Sequence, residues 1–229
     1  MSGSEARQRA RDEVLLFCQR MQAEHLAYYT SGNISMRIGD EPNLIAMTPT
    51  SLPYDTLRPE DICIVTVDGE VVDGERRPTS EFPLHTLVYA RRPEVGGIVH
   101  THSPAAMAMA ALGLTLPAFL TGLVGAAGGD IRTAPYARPG TAAMADLTAE
   151  ALNDRGACFL RAHGVLAVGR TLHHAYNAAS VVEGAADAFL RILPLGPVPE
   201  LPEEERRWFG DFWRSQWSST TLTGYGSAR

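Results

Sequence analysis

Net positive charge, thiols and long apolar runs are all scarce in this chain, and each shortage removes a class of function. Twenty Lys and Arg against 26 Asp and Glu leave a net charge of −6 over 229 residues. That balance argues against general binding to nucleic acid or to an anionic membrane surface, so an anionic substrate would need a local site rather than a global field. No uncharged apolar run reaches the ~18 residues of a membrane span; the nearest, residues 104–129, is broken by Pro117 and several glycines. Residues 2–12 are polar and charged, so no secretory signal is expected. Cys18, Cys63 and Cys158 are isolated in apolar contexts and are expected as buried free thiols in a reducing compartment, the cytoplasm. Neither a Gly-x-x-x-x-Gly-Lys loop nor a Gly-x-Gly-x-x-Gly after a strand is present, which removes nucleotide binding of those kinds.

What is there is a core. At 45% hydrophobic residues the chain can bury a sizeable interior, and no break in composition between residues 5 and 190 argues for more than one domain. Val14, Phe17, Cys18 and Met21 follow helical spacing within residues 5–26. Asp68-Gly69 between two apolar runs predicts a hairpin. Thr79-Ser80-Glu81 precedes a helix running to Arg91, with Ser80 as the expected N-cap. Residues 95–102 read as a buried strand, followed by a helix capped by Ser103 and opened by Pro104. Residues 113–140 are Gly- and Pro-rich, with short strands expected. Further helices are expected over residues 141–154, stopped by Gly156, and over 172–193. Strands are expected at 157–160 and 165–168, on either side of His163. Alternating helices, strands and a hairpin imply a layered α/β domain around a mixed sheet.

The chemistry concentrates in Val99-His100-Thr101-His102. Residues i and i+2 of a strand share a face, so both imidazoles can reach one point. Burying two imidazoles without a shared partner is costly, and such a pair suits a borderline metal. His163 follows a second apolar run and by itself fits either a ligand or a satisfied core residue. As a third ligand it would leave a tetrahedral ion one open position, the catalytic pattern. Glu81 is open to two readings: a helix-start glutamate favoured by the dipole, or a ligand or general base beside the metal. His25 and His85 are read as structural residues on helices, and His173 and His174 as surface residues. Three turns, Ser31-Gly32-Asn33, Thr50-Ser51 and Thr79-Ser80, could form an anion cup from backbone N–H groups and hydroxyls, or serve as ordinary turns and caps.

Taken in order, Ser31-Gly32-Asn33-Ile34-Ser35, Met47-Thr48-Pro49-Thr50 with Pro53-Tyr54, Pro78-Thr79-Ser80-Glu81, Val99-His100-Thr101-His102, Ala126-Ala127-Gly128-Gly129, Ala134-Pro135-Tyr136 with Gly140-Thr141, and His163-Gly164 resemble the class II aldolase/adducin family, in particular its L-fuculose-phosphate branch. The resemblance spans roughly residues 5–195. It implies a three-layer αβα domain around a mixed, largely antiparallel sheet over residues 1–195. Residues 196–229 would be an extension, helical then flexible, packing on a neighbouring subunit of a homotetramer with active sites at its interfaces. It implies Zn2+, replaceable by Mn2+, Co2+ or Fe2+, on His100, His102 and His163, with Glu81 exchanging between ligand and acid/base. It implies a phosphate cup of Gly32, Asn33, Thr50, Ser51, Thr79 and Ser80. The implied reaction is retro-aldol cleavage of a ketose 1-phosphate of the L-fuculose 1-phosphate type to dihydroxyacetone phosphate and an aldehyde such as L-lactaldehyde. Tyr225 would be the counterpart of a tail tyrosine that acts in a neighbour's site.

The sequence departs from that branch at two places. Its aldolases carry a tyrosine just before the Ala-Ala-Gly-Gly motif, where this chain has Thr121, Gly122 and Leu123. Position 51 is serine where they often have glycine. The 4-epimerases that share the fold carry an aspartate in place of Glu81 and another after the His pair, whereas residues 103–129 here hold no Asp or Glu. Related dehydratases and decarboxylases remain alternatives. A purely structural, adducin-like role sits poorly with three intact histidines.

Overall fold

A computed structural model describes residues 3–39 and 41–218. Tyr225 therefore lies outside the described residues. The chain forms one eight-stranded sheet from β1 (Asn33–Ile38), β2 (Glu41–Met47), β3 (Cys63–Thr66), β4 (Val71–Asp73), β5 (Gly97–Thr101), β6 (Thr133–Ala134), β7 (Ala157–Leu160) and β8 (Gly164–Gly169). Their spatial order is β4-β3-β2-β1-β5-β8-β7-β6. Every pairing is antiparallel except β6 with β7, so the expected mixed, largely antiparallel sheet is observed.

Helices cover both faces. Side chains alternate along each strand: Val99, Val165 and Ala167 point into one core and Ile98, Leu166 and Val168 into the other. The first core is closed by α1 (Gly3–Ala23), α3 (Pro104–Leu112), α4 (Thr121–Ala127) and α6 (Leu172–Ile192). The second is closed by α2 (Phe82–Arg91) and α5 (Ala142–Leu152). This is the three-layer αβα arrangement. A last helix, α7 (Glu203–Ser218), lies against α4. Its Trp213 is buried on Gly128, which has φ +85 and no room for a Cβ beneath the indole. Trp208 is exposed.

Several local expectations need correction. α2 is preceded by Glu81 in the N-cap position rather than Ser80, and the Glu81 side chain makes no cap bond because it turns into the site described below. Ser103 does precede α3, but its hydroxyl pairs with Thr101 Oγ1 at 3.2 Å. The free amides of Ala105 and Ala106 donate instead to the Glu183 carboxylate of α6, at 2.9 and 2.8 Å. Within residues 113–140 the structure has the helix α4 as well as a short strand. Its glycines weaken the helical signal, and burial of Leu123, Val124 and Ala127 compensates. α5 stops at Leu152 with Asn153 at φ +35, before Gly156. His25 is not on a helix; it sits at φ +58 just beyond α1.

Candidate metal centre

Antiparallel pairing brings the start of β1, the end of β2, the end of β5 and the start of β8 to one edge of the sheet. Met47 is two residues out of register from Asn33, which faces His100, and Thr101 faces Val165. All the candidate residues on these strands therefore collect at that edge.

His100 is the penultimate residue of β5 and is fully buried; His102 follows just past the strand end, half-buried. His163 sits in the three-residue turn between β7 and β8, directly after Ala162, which adopts φ +54. A left-handed alanine is strained, and here the strain accompanies the turn that aims His163 at the pair. The three rings form a nearly equilateral triangle, with centroids 4.8, 4.8 and 4.7 Å apart. Their candidate ligand atoms lie within 4.8 Å of one another. His100 Nδ1 donates to the Val165 carbonyl at 2.9 Å, which leaves Nε2 for the shared point, 2.9 Å from His102 Nε2. A backbone acceptor on the far nitrogen is the usual device for fixing a ligating imidazole.

Glu81 completes the cluster. Its Oε2 lies 3.1 Å from His100 Nε2 and its Oε1 lies 3.5 Å from His163 Nε2. Asn33 Nδ2 donates to Oε2 at 2.8 Å. Burial by itself would raise the Glu81 pKa, but His100, His163 and Asn33 override it and hold the carboxyl well below the usual range. Burial and the neighbouring His100 lower His102 to about 3; burial and His100 likewise lower His163 to about 4. Burial also works against charge on His100, but Glu81 prevails and raises it. Two rings are thus held in the neutral form that binds metal, and the third is balanced by a carboxylate.

The donor set fits a divalent ion. Glu81 Oε1 and His163 Nδ1 are buried without hydrogen-bond partners, which is costly unless another group satisfies the site. Three imidazoles and a carboxylate make a borderline set suited to Zn2+ or its neighbours.

The three expected turns lie beside the cluster and are stitched together by backbone. Thr48 N donates to Ile34 O and Thr79 N to Thr48 O, each at 3.0 Å; Thr50 N donates to Arg77 O at 3.0 Å. Gly32 has φ +75, and a Cβ there would lie 2.6 Å from the His100 carbonyl oxygen. Tyr54 donates its hydroxyl to Gly32 O at 2.5 Å and braces the same turn. Ser51, at φ +58, adopts the conformation glycine prefers. Thr79 Oγ1 accepts from Glu81 N at 3.3 Å. Gly32, Thr50, Ser51, Thr79 and Ser80 therefore lie on turns at this edge, and Asn33 opens β1 beside them.

His85, expected as a structural residue on a helix, does lie on α2. It is fully buried, and its Nε2 lies 2.5 Å from Asn33 Oδ1. A detectable signal existed: Glu81, His85 and Tyr89 recur every fourth residue, opposite Asn33 and Ser35 two residues apart.

The sequence profile of the Class II Aldolase and Adducin N-terminal domain matches residues 12–190. The chain is a member of the class II aldolase and adducin family. A 5-deoxy-D-ribulose 1-phosphate aldolase of Bacillus thuringiensis serovar kurstaki is 37% identical, over 86% of this chain and 92% of that one. A 5-methylthioribulose-1-phosphate/5-deoxyribulose-1-phosphate aldolase of Rhodospirillum rubrum is 40% identical, over 77% and 78%. A solved L-fuculose 1-phosphate aldolase superimposes with a TM-score of 0.86 at 30% identity, over 93% of this chain and 98% of that one. With relatives named as aldolases over most of its length, the chain is placed among the aldehyde-lyases of this family, and the histidine triangle is its candidate metal centre. Among the described residues, no helix is long and apolar enough to cross a membrane.

Proposed function

We propose that the protein is a zinc-dependent aldolase that reversibly cleaves a ketose 1-phosphate between C3 and C4 to dihydroxyacetone phosphate and a short aldehyde. The observation that carries this reading is the convergence of His100, His102 and His163 beside Glu81 Oε1, which is buried without a hydrogen-bond partner. The chain contains no lysine, so no lysine imine can activate a carbonyl substrate, and metal assistance is the route left by the residues present.

His100, His102 and His163 would hold the ion, with Glu81 beside them. When bound, the ion supplies Lewis-acid polarisation of the ketose carbonyl. Glu81 is the acid/base: in the synthetic direction it removes a proton from C3 of dihydroxyacetone phosphate, and in cleavage it returns one there. Asn33 donates to Glu81 Oε2 and so keeps one oxygen occupied while Oε1 stays available. The turns carrying Gly32, Asn33, Thr50, Ser51, Thr79 and Ser80 would receive the phosphate through N–H groups and hydroxyls. Tyr225 is the candidate proton donor to the aldehyde oxygen, acting in a neighbouring subunit of a homotetramer. The buried free thiols Cys18, Cys63 and Cys158 suit a reducing cytoplasm.

The aldehyde half favours a short, unhydroxylated chain. The fuculose branch carries a tyrosine in the stretch where this chain has Thr121, Gly122 and Leu123, and at Gly122 the space a Cβ would enter is open to 4 Å. No phenol is offered at that position to a hydroxylated aldehyde. The two relatives named for 5-deoxy or methylthio pentulose phosphates agree with this choice. Acetaldehyde, the C4–C5 fragment of a 5-deoxypentulose 1-phosphate, is thus preferred over L-lactaldehyde, the fragment of L-fuculose 1-phosphate.

The test is aldol synthesis by the zinc-loaded enzyme from dihydroxyacetone phosphate with each aldehyde. Faster turnover with acetaldehyde, abolished by chelator and by Glu81→Gln, supports the reading. Preference for L-lactaldehyde would return the substrate to the fuculose type. Metal binding without condensation of either aldehyde would move the assignment to epimerase, dehydratase or decarboxylase chemistry.

A further inference from the structure

A continuous chain of buried hydrogen bonds runs from the interior to Glu81. Tyr89 OH lies 3.0 Å from Ser35 Oγ, which lies 2.7 Å from His85 Nδ1. His85 Nε2 lies 2.5 Å from Asn33 Oδ1, and Asn33 Nδ2 lies 2.8 Å from Glu81 Oε2. Every member is at least nine-tenths buried. The proton positions follow by elimination. An ionised carboxylate only accepts, so Asn33 presents its NH2 to Glu81 and its oxygen to His85. His85 must then carry its proton on Nε2, leaving Nδ1 to accept from the Ser35 hydroxyl. Ser35 in turn accepts from Tyr89. Every donor points towards Glu81.

The arrangement matches two periodicities. Asn33 and Ser35 share one face of β1, two residues apart. Glu81, His85 and Tyr89 share one face of α2 and its cap, four residues apart. Asn33 alone could rotate its amide by half a turn, which would set its oxygen against the Glu81 carboxylate. The His85 N–H forbids that rotation.

We propose that His85 is a positioning residue: through its neutral Nε2–H form, fixed by Ser35 and Tyr89, it locks the Asn33 amide and thereby aims Glu81 at the histidine triangle. The role rests on the aldolase reading of Glu81 given above. Because Asn33 also lies in the phosphate cup, the chain ties the orientation of the acid/base to the binding of the phosphate end.

Two measurements on the full-length protein test it. The first needs no turnover: ring-15N-histidine spectra, with the His85 signal assigned by its loss in His85→Gln. A single neutral Nε2–H form that is lost or mixed in Ser35→Ala supports the proposal; an Nδ1–H form or a charged ring overturns it. The second is kinetic. In metal-loaded His85→Asn, which keeps an Nδ1-like group and loses the Nε2 donor, kcat falls about 10–100-fold and more than KM rises. His85→Gln, whose amide nitrogen stands in for Nε2, recovers most of that loss. Equal damage in both folded variants, or none in either, overturns the proposal. A wild-type enzyme inactive with every aldehyde would defeat the aldolase reading instead, and the 15N spectra would still decide the position of His85.

Discussion

Gly164 abuts Thr101 so closely that a Cβ on residue 164 would lie 2.3 Å from the Thr101 carbonyl oxygen, and 3.2 and 3.3 Å from the His102 and His100 rings. The contact joins the start of β8 to the end of β5 immediately behind the candidate metal ligands. Gly164→Ala must push the strands apart or displace both imidazoles. Overpacking of this kind costs about 1–3 kcal/mol. We expect a lower thermal midpoint together with weaker zinc binding in a chelator competition. An unchanged zinc affinity would show that the ligands do not depend on this contact.

Removing one imidazole has a different signature. His163→Ala leaves the β5 pair intact and deletes the side chain that the strained Ala162 turn presents. Zinc content by elemental analysis and aldol activity should fall together, while the fold and its circular dichroism persist. Full activity in a variant depleted of zinc would remove His163 from the site.

The Glu183 carboxylate accepts from the first free amides of α3, at Ala105 and Ala106. It takes the part usually played by an N-cap side chain, although Glu183 lies 78 residues further along the chain than Ala105. Bonds to a charged acceptor contribute about 1.5–3 kcal/mol each. Glu183→Ala is expected to lower unfolding stability in urea and to speed amide exchange at Ala105 and Ala106. Protection unchanged at those two amides would refute the assignment.

Asp61 is almost fully buried and accepts from Arg76 Nε at 2.8 Å and from the backbone N–H of Arg58 at 3.1 Å. Burial pushes its pKa up, but these partners outweigh it and the net shift is downward. A folded-state pKa below the unfolded value means that ionised Asp61 stabilises the fold at neutral pH. That contribution is complete above the unfolded value of about 3.9 and is lost as pH falls through the lower folded value. Asp61→Asn should therefore be less stable than wild type at pH 7, with the gap narrowing as the pH drops below about 4. A gap independent of pH in denaturant titrations would exclude this linkage.

Gly122→Tyr puts a tyrosine into the stretch of α4, Thr121 to Leu123, compared above with the fuculose branch, and does so in open space. Helix propensity changes in its favour by a few tenths of a kcal/mol, so the variant should fold. Its preference should shift from acetaldehyde towards L-lactaldehyde in the paired aldol assay. An unchanged ratio would mean that position 122 does not meet the aldehyde.

The sequence by itself determined what depends on local period and on residue type. His100 and His102 were legible as a pair because strand geometry returns every second side chain to one face. The long helices α1 and α6 were legible because their apolar residues recur at helical spacing. α4 was not, since its glycines hide a helix that burial against α6 and α7 sustains. Tertiary structure decided everything that joins distant segments. Antiparallel register set Asn33 opposite His100, and the β7–β8 turn carried His163 to the pair. Packing of α2 on β1 turned Glu81 away from capping its own helix and placed His85 behind Asn33. None of these placements has a local signature, because each depends on which strands pair and which helix face is buried, and those are settled by the whole core at once.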